Sequence, residues 1–551
     1  YGADAFSGVI NVITKSAEDI DGSEFGVRMG SFNTQDAWAQ TSYLDESVSA
    51  AFSVEYTKSN GDHNRLMTDG LGATGKFRSE YEIFNSQLTL ALDNFDIRLY
   101  NWQLHNGGTG PGGAQVLDEF GLVNVDYYQF DVGYATELAG NLNFEIRAGY
   151  NESNHDIKNV LLPPGTVFPV DDDGNLDAVG TRFATFPDGV IGNPGGDAEV
   201  VDTDVAFTFS SLDKHVLRLG FGYKEESVEI NEVKNFGPGV MDIVSDPSAF
   251  PVAGTPVDVS GTPNVFLDDV SREVYYFSIQ DEWGFANDWT LTWGVRYDEF
   301  SDVGDTVNPR LALVWAVDYN LTAKLLYGRA FRAPSFTELF SKNNPSQIGN
   351  EDLDPETIDT IEAAINYRVS SNLDISANIF YYEIEDLIDF VPSGAVLQAQ
   401  NAIDQNGEGI ELSAEWGISP KLTLDMNLSV QKIEDDKTGK DVADIPGEQL
   451  FIGLNWKPAD DWNFNIDVNW IGDRERAVGD TRRDVNEAGS YNLVNLAGRK
   501  IFDSGLEMNF ALKNILDDDG KEPAEFGQIY VENDYPVAGK SAYISVLFHL
   551  D

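Results

Sequence analysis

Between Lys421 and Gln431 the chain alternates without interruption. Leu422, Leu424, Met426, Leu428 and Val430 share one face, and Lys421, Thr423, Asp425, Asn427, Ser429 and Gln431 share the other. Successive side chains of a strand point to opposite faces, so this stretch can gather its apolar half only as an extended strand. The pattern recurs at Leu142–Tyr150, Trp289–Tyr297 and Trp462–Trp470, and in strand after strand from Glu24 onward. No run of about 20 apolar residues occurs, so no helix is expected to cross a membrane. A membrane barrel stays compatible, because its strands are polar at every second position.

A soluble sandwich alternates too, and the ends of the stripes separate the two. Trp462 and Trp470 share a face eight residues apart, which is roughly 26 Å along a strand. Tilted by about 40°, the pair covers roughly 20 Å of height, close to the gap between the aromatic girdles of an outer-membrane barrel. Trp289 and Tyr297 repeat the spacing. Trp462, Trp470, Trp289, Trp293 and Leu424 are therefore expected to face lipid, and Asn465, Asp467, Thr292 and Asp425 the lumen.

The connections alternate in length. Tight ones such as Asp93-Asn94, Ala139-Gly140 and Ser370-Ser371 separate long ones such as His155–Ala198, Asn231–Asp268, Phe331–Glu356, Leu387–Gln405, Asp473–Gly489 and Leu516–Gly539. Ten short inner turns and eleven outer loops give twenty-two strands with both barrel ends on the inner side. The expected fold is all-β, a 22-stranded antiparallel transmembrane barrel, wider than a porin. A propeller would need a self-similar repeat of about 40 residues, and none is found. The formal charge of −56, from 92 acidic against 36 basic residues, excludes nucleic acid as a partner. With no cysteine there is no disulfide, Cys–zinc or thiol chemistry. No G-x-S-x-G, H-E-x-x-H or P-loop string is present, and no enzyme activity is expected.

Two stretches stand apart. Residues 321–356 read LTAKLLYGRAFRAPSFTELFSKNNPSQIGNEDLDPE. A strand runs to Ala333, which Pro334 holds extended; a polar loop follows, and Asp354-Pro355 restarts the chain as the strand Thr357–Val369. The chain opens on YGADAFSGVINVITKS, where Gly2 and Gly8 bracket a turn and Val9–Thr14 reads as a buried strand. YGRAFRAPSFTELF and GNEDLDPE closely resemble the strand-and-loop signature late in the barrel of TonB-dependent outer-membrane receptors. The opening string is similar to the Y-G-x-x-A-x-x-G-x-I-N-x-I-T that closes the plug domain of that family.

The resemblance covers essentially the whole chain and carries several expectations. Residues 1–21 would be the C-terminal remnant of the plug, and 22–551 the barrel. Most of the plug, the segment that contacts TonB and any signal sequence would lie outside this chain. The protein would sit in the outer membrane of a Gram-negative bacterium, among lipid and lipopolysaccharide. It would be driven by the TonB–ExbB–ExbD complex and would import a scarce, large nutrient without a cofactor. A ferric siderophore ranks first, with cobalamin and oligosaccharide open beside it. A passive diffusion pore is the rival of another class. One departure is the terminus: the last strand, Ser541–Leu550, ends in His549-Leu550-Asp551, where such barrels usually finish on an aromatic residue.

Ligand candidates come from the outer loops. His155–Ala198 has seven acids against two bases, and Leu516–Gly539 seven against one; such a mouth repels anions. Asp473–Gly489 is the exception, with Arg474, Arg476, Arg482 and Arg483. Guanidinium suits carboxylate or catecholate oxygens, so these four are candidate contacts for an anionic chelate, beside Arg332 of the signature; salt bridges to neighbouring loops or to lipopolysaccharide phosphates are the alternative. Phe331, Phe336, Phe340, Tyr530 and Tyr535 could stack on a flat ligand or pack the loops. Asp171, Asp173, Asn175 and Asp177 are oxygen-rich enough to suggest calcium, but Gly174 falls at the fourth place rather than the sixth of an EF-hand loop. No histidine lies in SKNNPSQIGN, where haem receptors of the family carry one.

Overall fold

A computed structural model describes residues 8–20, 22–177, 179–241, 251–344, 347–393, 396–477, 479–484, 488–524 and 531–550, with 483 and 484 as backbone only. Twenty-two antiparallel strands form one closed barrel. Each strand pairs with its sequence neighbour, and the first, Ser23–Gly30, closes on the last, Ser541–Leu550, from Ser23↔Leu550 to Gly30↔Tyr543. Phe25 and Phe548 stack across this seam at 4.8 Å.

The alternation sets which side each residue takes. Trp293 and Trp462 are over a third exposed, at 37% and 36%, on the outer face, and Trp289 stacks on Trp315 at 4.9 Å. Asn463, Asn465 and Thr292 line lumenal cavities. Asp467 shares their side, accepting hydrogen bonds from Asn469 at 3.1 Å and Asn495 at 2.7 Å. The wall is uneven in height. Val190–Phe209 and His215–Lys234 have 20 residues each, whereas Ser23–Gly30 has 8 and Glu507–Lys513 has 7.

A barrel with lipid outside and a polar lumen inside has no apolar core within its wall. The buried apolar clusters lie mainly where the strands rise into the outer loops. One gathers Val170, Phe186, Val190 and Phe236; another Val274, Phe300, Phe331 and Ala333; a third Leu339, Leu353 and Ala399. The exception is Ala17 and Ile20 of the N-terminal segment, which pack on Ala51 of the wall.

Three expectations need correction. The stretch Leu387–Gln405 is not a loop. Leu373–Ser393 and Val396–Ser419 continue as a projecting hairpin of 21 and 24 residues, with register shifts around Leu387 that keep the ladder going. The signature loop is not wholly irregular, since it contains the helix Phe336–Phe340. Val9–Thr14 is neither strand nor buried: among the described residues it pairs with no neighbour, and Ile10 and Ile13 are 93% and 86% exposed. A strand needs a ladder partner for its backbone groups, and none of the described residues supplies one.

Candidate functional site

The mouth is built from the signature loop outward. The strand Leu321–Arg332 delivers Arg332 at its last position. Pro334 ends that ladder, and Ser335 caps the helix that follows. Ser335 Oγ accepts from the Glu338 N–H at 3.2 Å, and the Glu338 carboxylate accepts from the Ser335 N–H at 2.7 Å. Arg332 then ties three elements together. It donates to Glu338 at 2.9 and 3.0 Å and to Glu356, at the start of the next strand, at 2.6 and 2.5 Å. Glu356 also accepts the Ile388 N–H of the projecting hairpin at 2.7 Å. Burial pushes the Glu338 carboxyl up, but hydrogen bonds from Arg332 and the Ser335 N–H outweigh it and hold it below the ordinary glutamate range.

A second arginine holds the other side of the loop. Arg272 donates to the Pro334 carbonyl at 2.8 Å and to both oxygens of Asp302 at 2.9 Å, and its guanidinium lies 4.9 Å from the Phe336 ring. Phe331 is buried, edge-on to Phe300 at 5.7 Å. Phe336 and Phe340 pack against Val265 and Leu267, and Phe340 also against Leu339 and Leu353. Of the signature aromatics, Phe331 presents no surface to the mouth, and the other two are half-buried struts between loops.

The arginine-rich loop corrects the expectation of a basic rim. Arg476 pairs with Asp534 of the last loop, with Nη1 at 3.0 Å. Arg482 holds Asp480 at 2.7 Å, reaches Asp534 at 3.3 Å, and donates to the carbonyls of Val531 and Ala524 at 2.7 and 2.9 Å. Arg474 pairs with Glu522 at 2.7 Å. The three side chains are only 1–4% exposed. Binding a chelate through them would first require stripping these carboxylates away, so in this arrangement they clasp two loops and offer the mouth no cationic surface. The Arg483 side chain and Tyr530 lie outside the described residues. Tyr535 packs beside Phe77 at 6.0 Å, in the cluster of Met67, Ala524 and Val531. Burial pushes Asp480 up, but Arg482 outweighs it and holds the carboxyl low. Asp444, whose N–H donates to the Glu475 carbonyl at 2.8 Å, is raised by burial despite Arg476 and Arg482.

The calcium candidate also changes character. Asp171 Oδ1 accepts the N–H groups of Asp173 and Asn175 at 2.9 and 2.8 Å, its Oδ2 accepts from Asn175 Nδ2 at 3.1 Å, and Asp177 accepts the Val179 N–H at 3.0 Å. These oxygens fold a turn rather than converging. Among the described residues no three acidic or histidine side chains gather around a point.

The sequence reading passed over the lumen. Arg147, Arg218, Arg296, Arg310, Tyr276 and Tyr382 line a cavity of about 1300 Å³. Each is an ordinary polar member of one alternating strand, and only the pairing of many strands brings them together.

The family description "TonB dependent receptor-like, beta-barrel" matches residues 21–515. The chain belongs to the TonB-dependent receptor family. The barrel of this receptor therefore spans the outer membrane of a Gram-negative cell. Its sequence is 25% identical over 276 residues to the iron-regulated outer membrane virulence protein of Vibrio cholerae, covering 46% of this chain and 42% of that protein. It is 24% identical over 336 residues to the ferric enterobactin receptor PirA of Pseudomonas aeruginosa, covering 56% and 44%. The chain thus spans less than half the length of these curated relatives. Its fold matches a ferric enterobactin receptor of Pseudomonas aeruginosa with a TM-score of 0.74 at 16% identity, over 99% of this chain and 83% of that one. It matches the siderophore receptor PirA of Acinetobacter baumannii at 0.71 and 14%, over 99% and 83%.

Proposed function

We propose that the receptor imports a ferric siderophore, with the TonB–ExbB–ExbD complex supplying the energy through a segment N-terminal to this chain. Residues 1–21 are read as the end of the plug and 22–551 as the barrel. The supporting observation is the course of the N-terminal segment inside the lumen. Gly8 lines the central cavity, Gln87 donates to Thr14 at 3.0 Å, and Ser42 donates to the Ile20 carbonyl at 2.7 Å. A passive pore has no use for such a tether. Relatives named for ferric enterobactin and for iron regulation support iron as the cargo. The ligand is captured at the mouth framed by the signature loop, the projecting hairpin and the two clasped loops. Gating is the whole chemistry, and no bond of the ligand changes.

An oligosaccharide is the second reading. It is favoured by Phe380 and Tyr382, which both line the cavity with ring planes 11° apart, because stacked rings suit sugar faces. The test is uptake by the full-length gene in an iron-starved host stripped of its own receptors, with and without TonB. Radio-iron delivered as siderophore should enter only when TonB is present. Entry without TonB returns the protein to the pore class, and entry of labelled oligosaccharide alone replaces the substrate.

A further inference from the structure

The lipid face carries one polar pair out of keeping with its surroundings. On the strand Val270–Ala286, Ser278 and Gln280 line the lumen. Phe277, Asp281, Trp283 and Phe285 alternate with them and so stand on the outer face, where the three aromatic rings are exposed. Asp281 is set among apolar neighbours, with Ile279 and Trp283 along its own strand and Leu217 and Trp293 opposite it on the two flanking strands. The next carboxylate on this face of the strand is Glu273, beyond Phe277 and Tyr275.

Its partner fixes the depth. His215 opens the strand His215–Lys234 directly after a tight inner turn, and its N–H donates to the Leu212 carbonyl at 3.1 Å. The pair therefore lies toward the inner edge of the lipid belt. There Trp283, Phe285, Trp289 and Trp315 follow one another ring to ring, with centroids 5.4, 6.1 and 4.9 Å apart. Rings of this kind mark the membrane–water boundary.

The chemistry of the pair is one-sided. His215 Nδ1 stands 2.8 Å from Asp281 Oδ2. An ionised carboxylate only accepts, so Nδ1 donates and Nε2 of the neutral ring is left as an acceptor. The imidazole lies flat on Trp283, with centroids 5.6 Å apart and planes 7° apart. Asp281 is only 8% exposed, and its Oδ1 has no hydrogen-bond partner among the described residues. The backbone ladder gives no reason for an acid here, since it runs unbroken from Val228↔Val270 to His215↔Trp283. The outer face thus offers acceptors, aromatic surface and one negative charge, and its Nδ1 donor is already used within the pair.

We propose that His215 and Asp281 form a headgroup site for an inner-leaflet phospholipid bearing a primary ammonium, as in phosphatidylethanolamine. The ammonium donates to His215 Nε2, and the Asp281 charge beneath the ring is its counter-ion. The exposed indoles of Trp283 and Trp293 flank it, and such rings attract a cation. An anionic headgroup would meet acceptors and a like charge, which selects against it. The site concerns how the barrel is seated in its membrane and holds whatever the cargo.

The test places this chain in nanodiscs of phosphatidylethanolamine, phosphatidylcholine or phosphatidylglycerol with matched acyl chains. Diethylpyrocarbonate modifies a free imidazole nitrogen, and peptide masses separate His215 from the exposed loop residue His63. Modification of His215 should be about tenfold slower in phosphatidylethanolamine than in phosphatidylglycerol, which corresponds to a preference of about 1.4 kcal/mol. Phosphatidylcholine has no N–H to donate and should protect far less than phosphatidylethanolamine. His63 should react alike in all three lipids. In Asp281→Asn the ratio between phosphatidylethanolamine and phosphatidylglycerol should fall toward one. If that variant does not fold, the three lipids around the wild type decide alone. Equal rates in the three lipids, or slowest modification in phosphatidylglycerol, would overturn the proposal. So would equal protection by phosphatidylcholine, or a ratio that survives in Asp281→Asn.

Discussion

The receptor places arginine in two settings with opposite outcomes. In the loops 473–489 and 516–539, Arg476 and Arg482 are nearly sealed from solvent against Asp480 and Asp534. On the lumen wall, Arg147 and Arg218 remain 42% and 48% exposed beside single carboxylates. Arginine density along the sequence picks out the first group, yet the second group is the one left open to solvent. A charge clustered among acids on loops that fold over each other is consumed by folding. A charge spaced along a wall facing a wide lumen is not.

The contrast can be broken by substitution. Arg476→Ala or Arg482→Ala strands buried carboxylates and should cost about 3–5 kcal/mol within the loop cap. Limited proteolysis should then cut both loops while the barrel still melts as wild type. Arg218→Gln should change stability by less than about 1 kcal/mol; equal losses from the two sites would erase the distinction. Arg332→Gln comes next, at about 2–3 kcal/mol, because it removes charged hydrogen bonds from Glu338 and Glu356 together. Hydrogen exchange should show the helix Phe336–Phe340 and the tip of the projecting hairpin opening together. Ser335→Ala removes only the cap and should cost about 1 kcal/mol, read as faster exchange confined to that helix.

The smallest effect is on pH. Glu338 and Asp480 both sit below their ordinary values in the fold, so the stability they add is full above the unfolded carboxylate range, about pH 4. It is lost as pH falls through the lowered folded values. Asp444, raised by burial, works in the opposite sense and gains stability on acidification. The signature loop should therefore loosen in acid more steeply than the arginine clasp, beside which Asp444 supplies the opposing effect. Exchange rates at the Phe336–Phe340 helix and at the clasp, compared between pH 6 and pH 3, decide this.

Much of the wall was legible in the sequence because it rests on local patterns: alternation, tight inner turns and tryptophans eight residues apart. The helix was legible too, in the Ser335-x-x-Glu338 capping box, but Pro334 drew the reading toward a loop. The hairpin beyond Leu387 was hidden by Asp386, whose left-handed φ of 60° accompanies a register shift that breaks the alternation. The clasp left no local trace, since Arg476 meets Asp534 across 58 positions. The cavity lined by Arg147, Arg218, Arg296 and Arg310 depends on the pairing of several strands at once, which no single stripe encodes.

The seam has a consequence for how the molecule is made. Its eight residue pairs join strands roughly 500 positions apart in the chain. Closing a flexible loop of that length costs on the order of 5 kcal/mol in entropy, so the ends cannot find each other before the intervening hairpins have shortened the path between them. Until then Ser23–Gly30 and Ser541–Leu550 are two unpaired edges, each a template for another polypeptide. The stack of Phe25 on Phe548 is thus a last rivet, set only after every other strand is in place.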